Sequence, residues 1–329
     1  MSNFLKTAHL SPATLRHDVH MAATRDGYGI GVVELVEKDD SIVVLCADLT
    51  ESTRSNLFRE KFTERFIEMG VAEQNMANVA VGLSLNGKIP FIATYAVFSP
   101  GRNWDQIRIS SCYNKANVKF IGAHAGVTVG PDGGTHQALE DIALTRVLPN
   151  MTVLVPCDSE EARKAVHAAA KINGPVYIRL GRIPTPVFTT QKTPFRVGKA
   201  TTFRDGDDVA IIGAGPIIHS ALVAAHQLVE KGISCRIINL SSIKPIDSEA
   251  IEQAARSCKA IVTVEEHQIF GGVGSAIAEV VAGSYPVPME FIGMHDSFGE
   301  SGPPEELLKK YRMDAPAIEQ AVLKVIKRK

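Results

Sequence analysis

The polar and titratable side chains best suited to chemistry gather in four short stretches of loop character. The first is Ala47-Asp48-Leu49-Thr50-Glu51-Ser52, and the second, Glu68-Met-Gly-Val-Ala-Glu73-Gln74, leads into a segment of helical period. The third is Thr94-Tyr95-Ala-Val-Phe98, and the fourth runs from His124 through Gly130-Pro-Asp132-Gly-Gly-Thr135-His136 to Gln137. Glu73 has two readings. A glutamate at a helix start is a favourable partner for the helix dipole; next to Val71 and Met76 it is also a candidate buried carboxylate, which needs a specific partner. Tyr95 and Phe98, three apart, would share a face if helical. They serve either as core or as a wall against a flat heterocycle. Glycines and a proline make the fourth stretch irregular. His124, Asp132 and His136 on such a backbone suit a polyhydroxylated or phosphorylated ligand, or else belong to a solvated loop.

The elements that must position these residues follow from hydrophobic patterning. Continuous apolar bursts at 42–46, 89–93, 118–122, 152–155 and 175–179 read as strands, with helix-like segments at 73–85, 103–115 and 158–172 between them. The last of these opens on Asp158-Ser159-Glu160-Glu161, acidic residues suited to a helix N-terminus. Apolar strands alternating with helices predict an α/β protein with mainly parallel sheets covered on both faces. From about 181 to 207 the pattern lapses into Pro, Thr and Lys. The rhythm then restarts, with strands at 208–213, 234–239, 260–264 and 289–292 and helices at 217–231, 248–257, 273–283 and 315–327. We therefore expect two domains, 1–190 and 208–329, joined by a linker at 191–207. In an open parallel sheet, ligands gather beyond the carboxyl ends of the strands, which is where all four polar stretches fall.

The totals narrow the function. The chain has 329 residues, 45% hydrophobic and 22% charged, enough for two domains with their own cores. With 35 basic and 36 acidic residues the formal charge is −1, which gives no electrostatic case for nucleic acid or an anionic membrane as partner. No apolar run reaches membrane-spanning length, and Met-Ser-Asn-Phe-Leu-Lys lacks the order of a secretory signal. Five scattered cysteines without a CxxC pair favour neither a disulfide framework nor a zinc site, so a cytoplasmic setting is expected. Gly213-Ala-Gly215-Pro and Gly271-Gly-Val-Gly274 are read as tight entries into helices rather than phosphate loops.

Taken together, the stretches resemble the transketolases. Arg65-Phe-Ile-Glu-Met-Gly70-Val-Ala-Glu73-Gln is similar to the segment around that family's activating glutamate. Gly130-Pro-Asp132-Gly-Gly-Thr135-His136-Gln137 resembles its Asp-Gly-Pro-Thr-His-Gln signature, and Leu148-Pro149-Asn150 through Asp158 its downstream stretch. The resemblance implies a pyrimidine-binding domain followed by a transketolase C-terminal domain, and thiamine diphosphate as cofactor. It implies that Glu73 pairs with a ring nitrogen of the aminopyrimidine, favouring the imino tautomer that generates a nucleophilic carbon. It further implies that Tyr95 and Phe98 pack on that ring and that Asp48 lies near the cofactor at a subunit interface. By the same resemblance, Asp132 and His136 meet sugar hydroxyls, and Arg25, Ser52, His124 and Arg182 meet a substrate phosphate, with Arg179 an alternative to Arg182. Gly134, Ala125 and Gly101 depart from the family's usual Pro, acid and aromatic, which bears on substrate preference.

The resemblance also implies a missing half. Such enzymes hold Mg2+ and the diphosphate with a Gly-Asp-Gly motif followed by an asparagine, and this chain has only Asp205-Gly-Asp207-Asp and Pro131-Asp132-Gly133. A separate N-terminal transketolase subunit carrying the diphosphate-binding half is therefore expected, in an α2β2 assembly acting on sugar phosphates. The alternatives are a subunit like deoxyxylulose-phosphate synthase, one like a 2-oxoacid dehydrogenase β chain, or a non-catalytic scaffold. Ala123-His124-Ala125-Gly126 stands where the synthases have Asp-Arg-Ala-Gly, and the dehydrogenase chains usually lack the Asp132 and His136 pair.

Overall fold

In the computed structural model, which describes residues 4–329, the apolar bursts form two mainly parallel sheets flanked by helices. The first sheet has seven strands in the order Ser242–Lys244, Thr152–Leu154, Val176–Arg179, Lys119–Ala123, Ile89–Tyr95, Ile42–Cys46 and Phe66–Glu68. All neighbours are parallel except Ser242–Lys244, an antiparallel edge strand contributed by the C-terminal half of the chain. Every side chain of Ile42–Cys46 is buried, as a strand covered on both faces requires. The second sheet has five strands: Met289–Met294, Ile261–Gln268, Val209–Gly213 and Cys235–Asn239 are parallel, and Thr201–Arg204 closes one edge antiparallel. Thr201–Arg204 lies within the segment read as linker.

The expected helices appear as Glu73–Leu85, Ser159–Ala170, Ile217–Leu228, Ser248–Cys258, Val273–Ser284 and Ala315–Ile326. Asp158 caps its helix by accepting from the Glu161 amide at 2.9 Å. The segment expected at 103–115 is a short α-turn, Trp104–Gln106, that widens into a π-helix over Ile107–Tyr113.

A helix absent from the pattern, Thr24–Val36, packs against Ser159–Ala170. Its glycines permit the close approach: a Cβ on Gly27 would lie 2.0 Å from the Ser159 carbonyl oxygen. Leu45, Met76, Ala210, Ile238 and Ile277 belong to one buried apolar cluster, so the two domains share a core. Among the described residues, no helix is long and apolar enough to cross a membrane.

Candidate active site

The loops beyond the carboxyl ends of four neighbouring strands in the first sheet carry the polar stretches. Glu73 is the first residue of its helix and is 2% exposed. Its carboxylate accepts from Arg102 Nη1 at 2.9 and 2.8 Å, one bond to each oxygen. The Glu73 carbonyl accepts from Asn103 Nδ2 at 3.2 Å, which fixes the turn against the helix start. Arg102 itself is half exposed and lies over the Phe98 ring, 4.3 Å from its centroid. The glutamate is therefore buried and ion-paired, with a cation that solvent can reach.

Tyr95 ends its strand and Phe98 follows in a turn rather than on a helix. The two rings are still stacked, 5.9 Å apart and 13° from parallel. His124 stacks on Tyr95, with ring centroids 3.9 Å apart, and His136 meets Phe98 edge-on at 5.6 Å. His136 Nδ1 is held by Thr135 Oγ1 at 2.9 Å. From Glu73 through Arg102, Phe98 and Tyr95 to His124 there is thus an unbroken run of side-chain contacts.

Beyond His124 the run becomes cationic. Arg25 Nη1 donates to the Ser52 carbonyl at 2.7 Å and faces His124 Nε2 at 3.3 Å. Arg182 Nη1 donates to the Val129 carbonyl at 2.5 Å, and its Nη2 lies 3.7 Å from Asp132. Burial, then the guanidinium groups of Arg25, Arg182 and Arg54, push His124 down to about 3. A neutral imidazole that accepts at Nε2 bears its proton on Nδ1, and this buried atom has no partner among the described residues. Such a set of donors is chemically suited to an anionic oxygen.

A pH prediction follows. With its pKa depressed, His124 stays a neutral donor at all ordinary pH, so it adds no limb to the pH profile of anion affinity between roughly pH 5.5 and 8. Protonation in that range would add a cation and tighten binding in acid. Profiles of the Michaelis constant for wild type and His124→Asn check this. A limb near the ordinary histidine value, present only in wild type, would show that the imidazole titrates.

The remaining expected residues divide. Arg179 does not compete with Arg182: it is 6% exposed, its Nε is on Asp141 at 2.9 Å, and its Nη2 is on the Glu266 carbonyl at 2.7 Å. It is consumed inside the protein. Asp48 is exposed with φ 57° on the loop after Cys46, its amide held by Glu68 at 2.7 Å. The second glycine motif offers no open phosphate cradle. At the Gly271-Gly-Val-Gly274 entry, the Glu265 carboxylate already takes the Val273 and Gly274 amides at 2.7 and 2.8 Å.

Residues 20–186 match the model of the transketolase pyrimidine-binding domain, and residues 198–318 that of the transketolase C-terminal domain. The chain belongs to the transketolase family. A provisionally named transketolase C-terminal section of Methanocaldococcus jannaschii is 42% identical over 307 residues, covering 92% of this chain and 96% of that one. A 6-deoxy-6-sulfo-D-fructose transketolase subunit of a Clostridium species is 39% identical over 305 residues, covering 93% and 95%. Among solved structures, a split-gene transketolase described as an inactive β4 tetramer is 48% identical. It superposes with a TM-score of 0.88, covering 93% of this chain and 99% of that one.

Two features of this transketolase-family chain escape sequence reasoning. Arg102 stands in a Pro-Gly turn that reads as a surface loop, and no local signal ties it to a glutamate 29 residues earlier. Arg54, in the left-handed region at φ 68°, pairs with Asp26 at 2.6 Å beside the cationic run. Among the described residues no three His, Cys, Asp or Glu side chains converge to hold a metal ion.

Proposed function

We propose that the chain is the C-terminal subunit of a split transketolase that uses thiamine diphosphate. It moves a two-carbon ketol unit from a ketose phosphate to an aldose phosphate, and a second chain supplies the diphosphate and Mg2+ site. On this reading 1–190 is the pyrimidine-binding part, 191–207 the connection, with Thr201–Arg204 already laid on the second sheet, and 208–329 the C-terminal domain. The observation that carries the proposal is the continuous run from the Glu73 carboxylate, past two stacked rings, to the Arg25–His124–Arg182 cluster.

The residues present fit the pyrimidine half of the cofactor. Glu73 is buried, and its partner Arg102 is exposed enough to be displaced. When bound, the cofactor supplies a carbon nucleophile and an electron sink for cleaving the bond beside a ketone. Glu73 would hold and release a proton at its carboxylate toward a ring nitrogen, a task for which a buried carboxylate is suited. Tyr95 and Phe98 would shield that ring from water, and Asp48 would stand at the interface with the second chain. Arg25, His124 Nδ1, Ser52 and Arg182 would bind the terminal anion of the sugar. Asp132 and His136, at the same mouth, would receive its hydroxyls. Names such as "C-terminal section", "subunit" and "split gene" among the relatives favour a two-chain enzyme.

Co-purification with a diphosphate-binding transketolase chain tests the reading. Neither chain alone should transfer a ketol unit, and the pair should do so with thiamine diphosphate and Mg2+. Phosphate- and sulfonate-ended ketoses compared as donors identify the anion preferred. A pair that binds thiamine diphosphate by calorimetry yet transfers nothing from either donor class overturns the ketol-transfer reading.

A further inference from the structure

Beyond the loops of the first domain, the C-terminal domain reaches into the same edge, most directly through Glu266. Glu266 lies on the strand Ile261–Gln268 of the second sheet and is 6% exposed. One oxygen, Oε1, accepts from both the amide and the hydroxyl of Thr128, at 2.8 and 2.7 Å. Thr128 belongs to the loop that begins at His124 and carries Asp132 and His136. Gly126, with φ 89°, passes so close that a Cβ there would sit 2.0 Å from the same Oε1. Next to Thr128, Val129 supplies the carbonyl that holds Arg182.

The far end of the loop is gripped too. Gln137 Nε2 donates to the Glu300 carbonyl at 2.9 Å and to the Val127 carbonyl at 3.1 Å. A Cβ on Gly134 would lie 2.6 Å from the Gly299 carbonyl oxygen. Arg179 closes the arrangement from below, bridging Asp141 and the Glu266 main chain. Together these contacts tie the substrate-facing loop, and the strand beside it, to the second domain.

We propose that Glu266 is a positioning residue: through Thr128 it fixes the loop 124–137, and with it Arg182 and Asp132, so that the C-terminal domain sets the geometry of the sugar-phosphate site. This rests on the ketol-transfer reading for its substrate and on the hydrogen bonds alone for the loop. A buried acceptor that serves two donors is expensive to remove, because both Thr128 donors then lose their partner. Glutamine keeps the acceptor, since only one oxygen is used. Alanine does not.

The test uses the reconstituted pair and the full chain. Glu266→Ala should raise the Michaelis constant of a phosphorylated ketose donor by about tenfold or more, the loss expected for a buried charge-assisted contact. The value for a short unphosphorylated ketol donor should stay near wild type, and Glu266→Gln should restore the phosphorylated donor. Gly126→Ala, which pushes the carboxylate away, should copy Glu266→Ala. In hydrogen exchange of the chain alone, amides at 126–133 should exchange faster in Glu266→Ala, with those of Ile42–Cys46 and Ile89–Tyr95 unchanged. The proposal is overturned if loop exchange and both Michaelis constants match wild type, or if both donors suffer equally while the sheet loses protection. A wild-type pair without ketol transfer defeats the functional reading instead, and the exchange result still decides whether Glu266 anchors the loop.

Discussion

Glu73→Gln should leave the chain folded and reduce ketol transfer by the reconstituted pair by two to four orders of magnitude, the usual worth of a positioned acid–base group. The substitution is nearly isosteric, and the helix Glu73–Leu85 does not depend on the carboxylate for its packing, since Met76, Ala77 and Ala80 fill its buried face. An amide, however, cannot take up and return a proton. Arg102 sharpens the expectation. It now spans both carboxylate oxygens, and an amide offers it only one. The variant should therefore release Arg102 more readily while losing the chemistry. Steady-state transfer rates, with thermal unfolding as a control for folding, decide the matter. A loss of only a few-fold would mean that the carboxylate exists for its arginine and not for catalysis.

Arg25→Gln should act on binding rather than turnover. The guanidinium faces His124 and is held by the Ser52 carbonyl, with Nε buried and unpartnered among the described residues. Charge-assisted contacts of this kind are worth about 1.5–3 kcal/mol, so the Michaelis constant for a phosphate-ended donor should rise roughly 10- to 100-fold. The turnover number should move little, and an unphosphorylated donor should not notice the change. Arg25→Lys should recover only part of the loss, because an ammonium lacks the planar fork. Equal damage to phosphorylated and unphosphorylated donors would show that Arg25 shapes the loops and does not read the anion.

What the sequence reveals follows from where the physics is local. Strands such as Ile42–Cys46 and Val209–Gly213 are buried on both faces and so read as continuous apolar runs. The start of the Glu73 helix and the Asp158 cap are equally plain. Thr24–Val36 is hidden because Gly27, Gly29 and Gly31 each cost about 1 kcal/mol relative to alanine in a helix. They are there because the backbone of Ser159 and the side chains of Leu57 and Val166 press against them, a reason found only in the tertiary structure. Arg25 depends on that helix for its position. The apolar pattern stops short of Glu265, Glu266 and His267, yet Ile261–Gln268 carries them on into the interior. Polar side chains there are tolerated only because distant partners satisfy them, Thr128 and the Val273 amide among them.

The strand Ser242–Lys244 gives the chain a property of a different kind. It leaves the second half of the sequence to complete the edge of the first sheet, against Thr152–Leu154, and Lys244 Nζ then donates to the Arg146 carbonyl at 3.0 Å. A fragment cut after the first domain would expose that strand's amides and carbonyls, an open template for self-association. The two halves are consequently not interchangeable modules. A protease or a recombination event that separates them should yield insoluble material rather than two working parts.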